Sequence, residues 1–459
     1  MEKLTLWIQD RFIRNKSLNS TRVVALSFGL IILLGALLLT LPIASRDGHS
    51  AGFFTGLFTA TSATCVTGLV VADTWTQWSL FGQVVILGMI QLGGLGFMTV
   101  ITLISLLSHR RIGLSERLIM VSTLNLNDLD GVVRVVRHAL MGTAVFEVAG
   151  ALLMAIRLIP RFGVVKGIWH SIFHSVSAFC NAGFDLMGGS TGPYSSLAAY
   201  HDDPIILITT AVLIIVGGLG FFVWEDVARS RCWRKLTIYT KLVLALTGML
   251  LVFGTVFFFF AEGSNAGTMG GMGGGERLLN SFFQSTTLRT AGFNVVDQGA
   301  MRDGSKVISC VLMLIGGSSG STAGGLKTVT VWVLFMVLLS SLRGHDTLVF
   351  RGRSLSARRA LNAVTLFMMV TFLFVSSAVV ISLLDDVPFL SAAFETASAL
   401  GTVGVTTGIT SHLSMVSQII LIVLMYTGRV GVLSFSLAFI AHKNSSAKIK
   451  YPEFNIMLG

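Results

Sequence analysis

Long apolar runs alternate with short apolar stretches along this chain. A membrane-crossing helix needs about 20 predominantly apolar residues. Eight runs meet that requirement, at 21–43, 80–107, 139–159, 204–224, 237–261, 307–339, 360–384 and 415–441. The first run is too long for the apolar core of a signal peptide and has no convincing cleavage site, so we interpret it as a retained helix. The pattern predicts an all-α membrane protein with eight transmembrane helices.

A shorter apolar stretch stands between the two long runs of each successive pair. These stretches cover 51–64, 168–179, 278–288 and 389–400. Stretches of about 10–14 residues are too short to cross a bilayer but suit a re-entrant helix. Non-helical backbone at membrane depth is tolerated only where protein buries it or where it lines a water-filled path. We therefore predict four half-helices, each followed by a loop that lines a path.

A small-residue segment with a glycine follows each half-helix, and the four segments are similar to one another. Their glycines, at about 110-residue intervals, indicate an internal repeat of helix, half-helix, loop and helix. The glycines are Gly68, Gly183, Gly292 and Gly404. The second helix of each copy also carries a G-x-x-G pair, beginning at Gly93, Gly217, Gly317 and Gly428. We use these pairs to align the copies; the alternative is that they mark close packing by small residues.

The repeats divide the chain into predicted units. They are a cytoplasmic tail at 1–20, repeats at 21–108, 138–227, 237–341 and 359–442, and a C-terminal tail at 443–459. The repeats are predicted to surround a pseudo-fourfold pore.

Composition and charge support a membrane protein. The chain is 53% hydrophobic and 12% charged, against roughly 25% charged residues in soluble proteins. The net charge of +11 could suggest nucleic acid, but most Lys and Arg fall in the tails and in the loops that join the repeats. The positive-inside rule therefore predicts a multi-pass protein of the cell membrane, with both termini in the cytoplasm and no nucleic-acid partner.

The opposite loops are rich in acids. A negative outer mouth would raise the local cation concentration and repel anions, although ordinary solvated loop charge is the alternative. The four cysteines show neither C-x-x-C nor Cys/His metal spacing. Because no His, Cys, Ser or acid cluster recurs on one membrane face, we predict no enzymatic activity, no catalytic residue and no bound cofactor.

Four equivalent loops that converge on one axis form a ring of backbone carbonyls. Carbonyl oxygens can replace the hydration shell of an alkali ion, and the partly negative C-terminal ends of the half-helices favour a cation. The predicted filter residues, which would bind the potassium substrate, are Val66, Thr67, Gly68, Asn181, Ala182, Gly183, Thr290, Ala291, Gly292, Thr402, Val403 and Gly404.

A Gly- and Ser/Thr-rich segment interrupts the second helix of the third repeat, where a regular helix is disfavoured. We hypothesise a mobile loop that gates the path; a packed kink is the alternative. Arg429 replaces the small residues of the other repeats. A buried membrane arginine points to function, here an electrostatic barrier; the alternative is a structural pair with an acid or a helix end. The predicted gate residues are Gly316, Gly317, Ser318, Ser319, Gly320, Ser321, Thr322, Gly324, Gly325, Lys327 and Arg429.

Three further charges lie within apolar stretches. Arg289 and Glu395 fall in the half-helix regions of repeats three and four, Arg289 directly after its half-helix, and we hypothesise that they brace the filter, either through each other or through carbonyls. Glu147, inside the third long run, is interpreted as a similar structural contact. Lys327 either anchors the gate loop or reaches towards the cytoplasmic interface.

With these motifs the chain resembles the Trk/Ktr/HKT superfamily of potassium transporters, over about residues 20–452. The resemblance rests on Val66-Thr67-Gly68, Asn181-Ala182-Gly183-Phe184, Arg289-Thr290-Ala291-Gly292-Phe293-Asn294 and Thr402-Val403-Gly404. Eight spans without an additional amino-terminal pair look most like the Ktr membrane, pore-forming subunit. In plant relatives a Ser at the first filter glycine accompanies sodium preference, so Gly68 favours potassium. The first three segments depart from Thr-Val-Gly, which implies looser selectivity than that of a strict potassium channel.

The resemblance implies channel-like potassium uptake with an intramembrane gate at 316–327. It also implies a homodimer with one pore per protomer, sodium as an activator, and gating by a cytosolic nucleotide-binding subunit of RCK type. That subunit would dock on the basic loops 227–241 and 341–359.

The alternative function is a sodium- or cation-coupled secondary carrier with alternating access. Such carriers usually contain inverted repeats and broken helices near the bilayer midplane. Here each repeat holds two complete spans, so successive copies keep the same topology, and this disfavours inversion.

Overall fold

A computed structural model of the chain describes residues 20–96, 132–230, 232–344, 348–350 and 352–432. The α-helices in these ranges are α1 (Ser20–Thr40), α2 (Phe53–Thr64), α3 (Thr74–Gln77), α4 (Leu80–Leu95), α5 (Val132–Phe162), α6 (Val164–Phe179), α7 (Gly188–Thr191), α8 (Pro204–Leu219), α9 (Phe221–Ser230), α10 (Ile238–Ala261), α11 (Gly274–Thr287), α12 (Asp303–Leu314), α13 (Thr328–Leu342), α14 (Ala357–Asp385), α15 (Phe389–Gly401) and α16 (Met415–Val430). Strands β1 (Leu348–Phe350) and β2 (Arg353–Leu355) form an antiparallel pair. The predicted tails at 1–20 and 443–459, except Ser20, and the predicted helix ends at 97–107 and 433–441 lie outside the described residues.

The helices have the length and surface of a membrane protein. Helices α10, α14 and most of α5 are long and apolar enough to cross a bilayer, and α8 with α9 would form a further span bent by 94°. Most of α1, together with α4, α13 and α16, is apolar but shorter. Large apolar side chains point outwards: Leu33 is 52% exposed, Phe372 71% and Leu383 80%. Contiguous exposure of this kind is typical of a surface that faces lipid rather than water.

Polar side chains lie in the centre instead. In α2, Thr59, Thr61, Ser62 and Thr64 are fully buried. The Thr61 hydroxyl donates to the Leu57 carbonyl oxygen at 2.8 Å, one turn earlier on its own helix. Such local hydrogen bonds let short hydroxylated side chains enter a buried helix face.

The half-helices are α2, α6, α11 and α15, and each packs on the long helix that precedes it. These pairs are α1 with α2, α5 with α6, α10 with α11, and α14 with α15. Each following helix also packs on the half-helix of the next repeat: α4 on α6, α8 on α11, α12 on α15, and α16 on α2. Because the last pair joins the fourth repeat to the first, the units form a closed ring rather than a row.

The G-x-x-G pairs have two different structural roles. The second glycine ends the helix with a positive φ in α4, α8 and α16, at Gly96 (+82°), Gly220 (+90°) and Gly431 (+95°). The predicted span over 204–224 is therefore bent at Gly220, where the chain turns; glycine adopts this conformation without the Cβ clash of other residues. The first glycine packs against the end of a half-helix, as Gly93 does against the Thr64 carbonyl.

We predict that Gly93→Ala destabilises the protein, because its Cβ would overlap the Thr64 carbonyl group. Overpacking of this kind costs about 1–3 kcal/mol. Gly88→Ala on the same helix is the control, since a Cβ there meets no atom within 4 Å. Thermal unfolding of the purified protein in detergent should show a lower midpoint for Gly93→Ala alone; equal midpoints would contradict the packing argument.

Candidate functional site

The four glycine loops, which follow the half-helices at residues 65–68, 180–183, 289–292 and 401–404, share one backbone conformation. Each has a left-handed residue two positions before its glycine, and the glycine itself also has a positive φ. The first set comprises Val66 (+56°), Asn181 (+60°), Thr290 (+69°) and Thr402 (+51°). The second comprises Gly68 (+93°), Gly183 (+70°), Gly292 (+85°) and Gly404 (+97°). Positive φ is uncommon in residues with a side chain, so its recurrence at one position in all four loops identifies a common shape.

The left-handed residue arises from the way the half-helices end. In loop one, the Val66 N–H donates to the Ala63 oxygen and the Thr67 N–H to the Ser62 oxygen, at 3.2 and 2.8 Å. This is the Schellman arrangement, which satisfies the last carbonyls of a helix. Loops two and four repeat it, whereas in loop three the Ala291 N–H donates to the Thr287 oxygen instead.

The loop glycines contact one another in cyclic order. A Cβ added to Gly68 would lie 2.5 Å from the Ala182 oxygen, and one on Gly183 would lie 2.7 Å from the Ala291 oxygen. A Cβ on Gly292 would lie 2.6 Å from the Val403 oxygen, and one on Gly404 would overlap the Thr67 oxygen. Each glycine therefore faces the carbonyl before the next glycine, and any side chain would force the loops apart.

A cavity of about 210 Å³ lies on one side of this ring and is lined by all four glycines. Asp73 and Asp185 also line it. The Asp73 carboxylate accepts from the backbone N–H groups of Thr76 and Tyr194, at 2.8 and 3.0 Å. Burial raises the pKa of Asp185 from 3.8 to about 7; the Met187 N–H opposes the shift, and the charge of Asp73 adds to it.

A second cavity, of about 340 Å³, is lined by residues of α1, α14 and α16 and by part of segment 315–327. Its charged lining residues among those described are Lys327 and Arg429. The Lys327 ammonium donates to the Ala323 oxygen at 2.7 Å, so this side chain closes the segment on itself. The sequence left two roles open for Lys327, and the structure favours the one in which it anchors the loop over the one in which it reaches towards the cytoplasmic interface.

Segment 315–327 separates α12 from α13 and crosses the bend between α8 and α9. The N–H groups of Ser318 and Thr322 donate to the Gly218 and Gly217 oxygens, at 3.0 and 3.3 Å. The Phe221 N–H donates to the Gly320 oxygen at 3.0 Å. The broken helix thus supplies carbonyl and N–H groups that a continuous helix would have used internally, and these groups hold the segment.

Arg429 joins this segment to the first repeat. Its guanidinium donates to the backbone oxygens of Thr322, Gly93 and Gly94. Within the described part of the chain no carboxylate forms an ion pair with it, whereas the Gly93 and Gly94 oxygens lie at the end of α4, so a helix end rather than an acid is its structural partner. A planar guanidinium with several donors suits this bridging role better than an ammonium does.

The charges of the half-helices are not paired with each other. No hydrogen bond or ion pair joins Arg289 to Glu395, although both residues are described. The Glu395 carboxylate instead binds Thr406, Thr407 and Thr410 of its own loop. The hypothesis of mutual bracing is therefore wrong, because the carboxylate is saturated locally by these groups.

Glu147 contacts the second half-helix, as its interpretation as a structural residue implied. Its carboxylate accepts from the Gln91 amide at 3.2 Å, and its backbone oxygen accepts from the Ser175 hydroxyl at 2.6 Å. Gln91 belongs to α4 and Ser175 to half-helix two, so Glu147 connects the first repeat to the second.

The structure brings the four predicted filter segments together in one ring. Of the predicted gate residues, it places Gly320, Ser321, Gly325, Lys327 and Arg429 in the lining of the second cavity. Sequence reasoning missed Asp185 and the threonines that bind Glu395. The Thr-Thr-Gly following Val405 was a visible signal for the threonines; a single aspartate two residues after Gly183 gave no comparable signal.

Known proteins are similar to this chain over nearly its whole length. The profile of the TrkH family, described as cation transport protein, matches residues 6–451. A potassium/sodium uptake protein, NtpJ, of Enterococcus hirae is 40% identical over 97% of this chain and 98% of its own. The Ktr system potassium uptake protein B of Bacillus subtilis is 39% identical, covering 98% and 99%. The crystal structure of the potassium transporter TrkH from Vibrio parahaemolyticus has a TM-score of 0.74 at 17% identity, covers 93% of this chain and 86% of that one, and shares its fold.

We predict that cation uptake falls as the pH drops from 8 to 6 in the cavity that the four loop glycines and Asp185 line. Asp185 loses its negative charge as the pH falls through its pKa of about 7, and the loss of one charge at the mouth should lower uptake roughly two- to fivefold. Asp185→Asn should flatten the profile, whereas Asp202→Asn, at an exposed acid outside this cavity, should leave it unchanged. Rubidium uptake into proteoliposomes at graded external pH measures this; a pH dependence retained in Asp185→Asn would contradict it.

Proposed function

This chain belongs to the TrkH family of cation transport proteins, and from that premise we propose that it is the channel-like, potassium-translocating subunit of a Ktr-type uptake system. The observation that carries the proposal is the ring in which each loop glycine faces the carbonyl before the next. In that arrangement a side chain on any loop glycine would force the loops apart, as a Cβ on Gly404 would by overlapping the Thr67 oxygen. Backbone oxygens grouped around one axis can replace the water shell of an alkali ion.

The path would run from the smaller cavity through the ring to the larger one. Asp73 and Asp185 supply negative potential at the entrance, where it attracts cations. The twelve filter residues predicted from sequence are the proposed potassium ligands, through their backbone oxygens. The membrane potential, worth about 2.3 kcal/mol per charge per 100 mV, would drive uptake.

Segment 315–327 and Arg429 form the proposed gate. Arg429 places a fixed positive charge in the larger cavity, where a cation would pass, and its bond to the Thr322 oxygen holds the segment closed. Gly324 lies against the Thr402 side chain, so the segment touches the fourth loop. Movement of the segment would break these contacts together.

The organisation of the complete system is also a proposal. We retain the four repeats at the boundaries predicted from sequence, with eight spans and cytoplasmic termini in the plasma membrane. A homodimer, stimulation by sodium, and gating by a cytosolic RCK-type subunit on the loops 227–241 and 341–359 follow from the family. Relatives named as components of Ktr systems support a multisubunit transporter.

Sodium transport is a second candidate. One similar protein is named as a potassium/sodium uptake protein, and only the fourth loop has the Thr-Val-Gly sequence of strict potassium channels. A cation-coupled carrier remains the alternative mechanism; its transport site would lie away from the glycine ring.

We predict that Gly404→Ala lowers rubidium uptake and the rubidium-to-sodium ratio. Its Cβ would overlap the Thr67 carbonyl in the ring. We expect uptake and the ratio to fall on the order of tenfold, as for removal of one strong interaction. Gly48→Ala is the control: Gly48 also has a positive φ, +73°, a Cβ there meets nothing within 4 Å, and Gly48 lines neither cavity. Parallel rubidium and sodium uptake in proteoliposomes measures both; little change in Gly404→Ala would favour a carrier with its site elsewhere.

We predict that Arg429→Gln raises potassium flux in the absence of a regulatory subunit, by roughly threefold to tenfold, because both the positive charge and most of the bridge are lost. Arg429→Lys separates the two effects, since it keeps the charge but not the planar fork. Low flux in Arg429→Lys would identify the charge as the barrier, and high flux would identify the bridge. Flux equal to wild type in both variants would refute the gate.

A further inference from the structure

The residue nine positions before each loop glycine differs among the repeats. It is Thr59 in half-helix one, His174 in two, Phe283 in three and Glu395 in four. All four side chains are buried. This position lies four to six residues, between one and two turns, before the end of the half-helix. From there its side chain can reach the arm of the loop, the residues that follow the glycine.

Glu395 holds the arm of loop four. One carboxylate oxygen accepts from the Thr406 hydroxyl at 2.6 Å, the Thr407 N–H at 2.9 Å and the Thr407 hydroxyl at 3.1 Å. The other accepts from the Thr410 hydroxyl at 2.7 Å. Charge-assisted hydrogen bonds are the stronger class, and Glu395 itself has no exposed surface, so this arm is firmly positioned.

His174 makes the corresponding contact in loop two. Its Nδ1 lies 2.7 Å from the His170 backbone oxygen, which can only accept, so Nδ1 carries the proton. Its Nε2 then accepts from the Leu186 N–H at 3.3 Å. Leu186 stands three residues after Gly183, as Thr407 stands three residues after Gly404. The same backbone N–H is therefore bound from the same helix position in both repeats.

Loops one and three lack this contact. The Thr59 hydroxyl has no partner in the described structure, and Phe283 cannot accept a hydrogen bond. Loop three instead has a paired amide, in which Gln284 and Gln298 exchange two hydrogen bonds at 2.7 and 3.1 Å. In the cyclic order of the ring, loops two and four stand opposite each other. The backbone of the ring has nearly fourfold symmetry, whereas the hydrogen bonds from half-helix to loop are present in two opposite loops and so have twofold symmetry.

We propose that Glu395 and His174 are positioning residues that hold the outer arms of two opposite loops and thereby set the discrimination among alkali cations. The proposal rests on the proposed function of the ring. Neither residue is one of the described residues that line the smaller cavity. Both therefore act through the backbone that they bind, at Leu186 and Thr407. A ring of carbonyls selects an ion by the number and placement of its oxygens. Where the arm of a loop lacks this hydrogen bond, the loop glycine and its neighbouring carbonyls can shift.

The experiment compares a side chain that cannot accept with one that can, at both positions. Glu395→Leu and His174→Leu remove the acceptor, whereas Glu395→Gln and His174→Gln keep an oxygen within reach of the arm. Rubidium and sodium uptake are measured in proteoliposomes that contain equal amounts of monodisperse protein. We expect the leucine variants to lower the rubidium-to-sodium ratio by on the order of tenfold, and the glutamine variants by less than about threefold, in proportion to the hydrogen bonds lost.

Glu262→Leu is the matched control for the loss of a buried carboxylate. Glu262 is also fully buried and accepts from Asn265, Thr268 and the Arg302 N–H, but in an outer turn that does not line the ring cavity. It should lower the thermal midpoint and leave the ratio unchanged. If Glu395→Leu does not fold, His174→Leu against His174→Gln decides the question at the opposite loop.

The outcomes separate the two proposals. Wild-type uptake with an unchanged ratio in the folded leucine variants would overturn the bracing role. An equal fall of the ratio in Glu262→Leu would overturn it too, because the effect would then come from general destabilisation. A wild-type protein that carries no alkali cation would overturn the proposed function itself.

Discussion

The close approach of four glycines to four backbone carbonyls is the constraint on which the rest of this structure depends. Each glycine stands where a Cβ would meet the oxygen before the next glycine. Backbone polar groups at membrane depth need partners inside the protein or in a water-filled path, so this ring exists only because helices enclose it. The long helices hold the half-helices, and each second helix also packs on the next half-helix, which closes the ring.

The same requirement explains the broken helices. The bend at Gly220 releases carbonyls of Gly217 and Gly218, and segment 315–327 binds them through the N–H groups of Ser318 and Thr322. Arg429 adds its guanidinium to the carbonyls of Thr322, Gly93 and Gly94. The bend at Gly220 and the interruption at 315–327 therefore require each other. Carbonyl and N–H groups that a regular helix would bond internally form contacts between repeats instead.

The repeats are alike in backbone and different in the side chains that support it. All four loops share two positive φ angles, yet the residue nine positions before the glycine binds the N–H of its loop in only two of them. Loop three ends its half-helix differently and uses a pair of glutamines. Such differences allow each loop to be tuned separately, which four identical chains around a pore cannot do.

The sequence alone predicted the repeats and identified the loop glycines and the resemblance to the family. Periodic apolar runs and recurring glycines follow from local requirements of length and backbone conformation, so a sequence shows them directly. It could not reveal that Gly220 bends a predicted span, since a G-x-x-G pair reads equally well as helix packing. Nor did it give the partners of Glu395, which was expected to brace the filter through Arg289 or through carbonyls and instead binds three threonines of its own loop. Those outcomes depend on which carbonyls and N–H groups meet when distant repeats pack, and only the tertiary structure decided them.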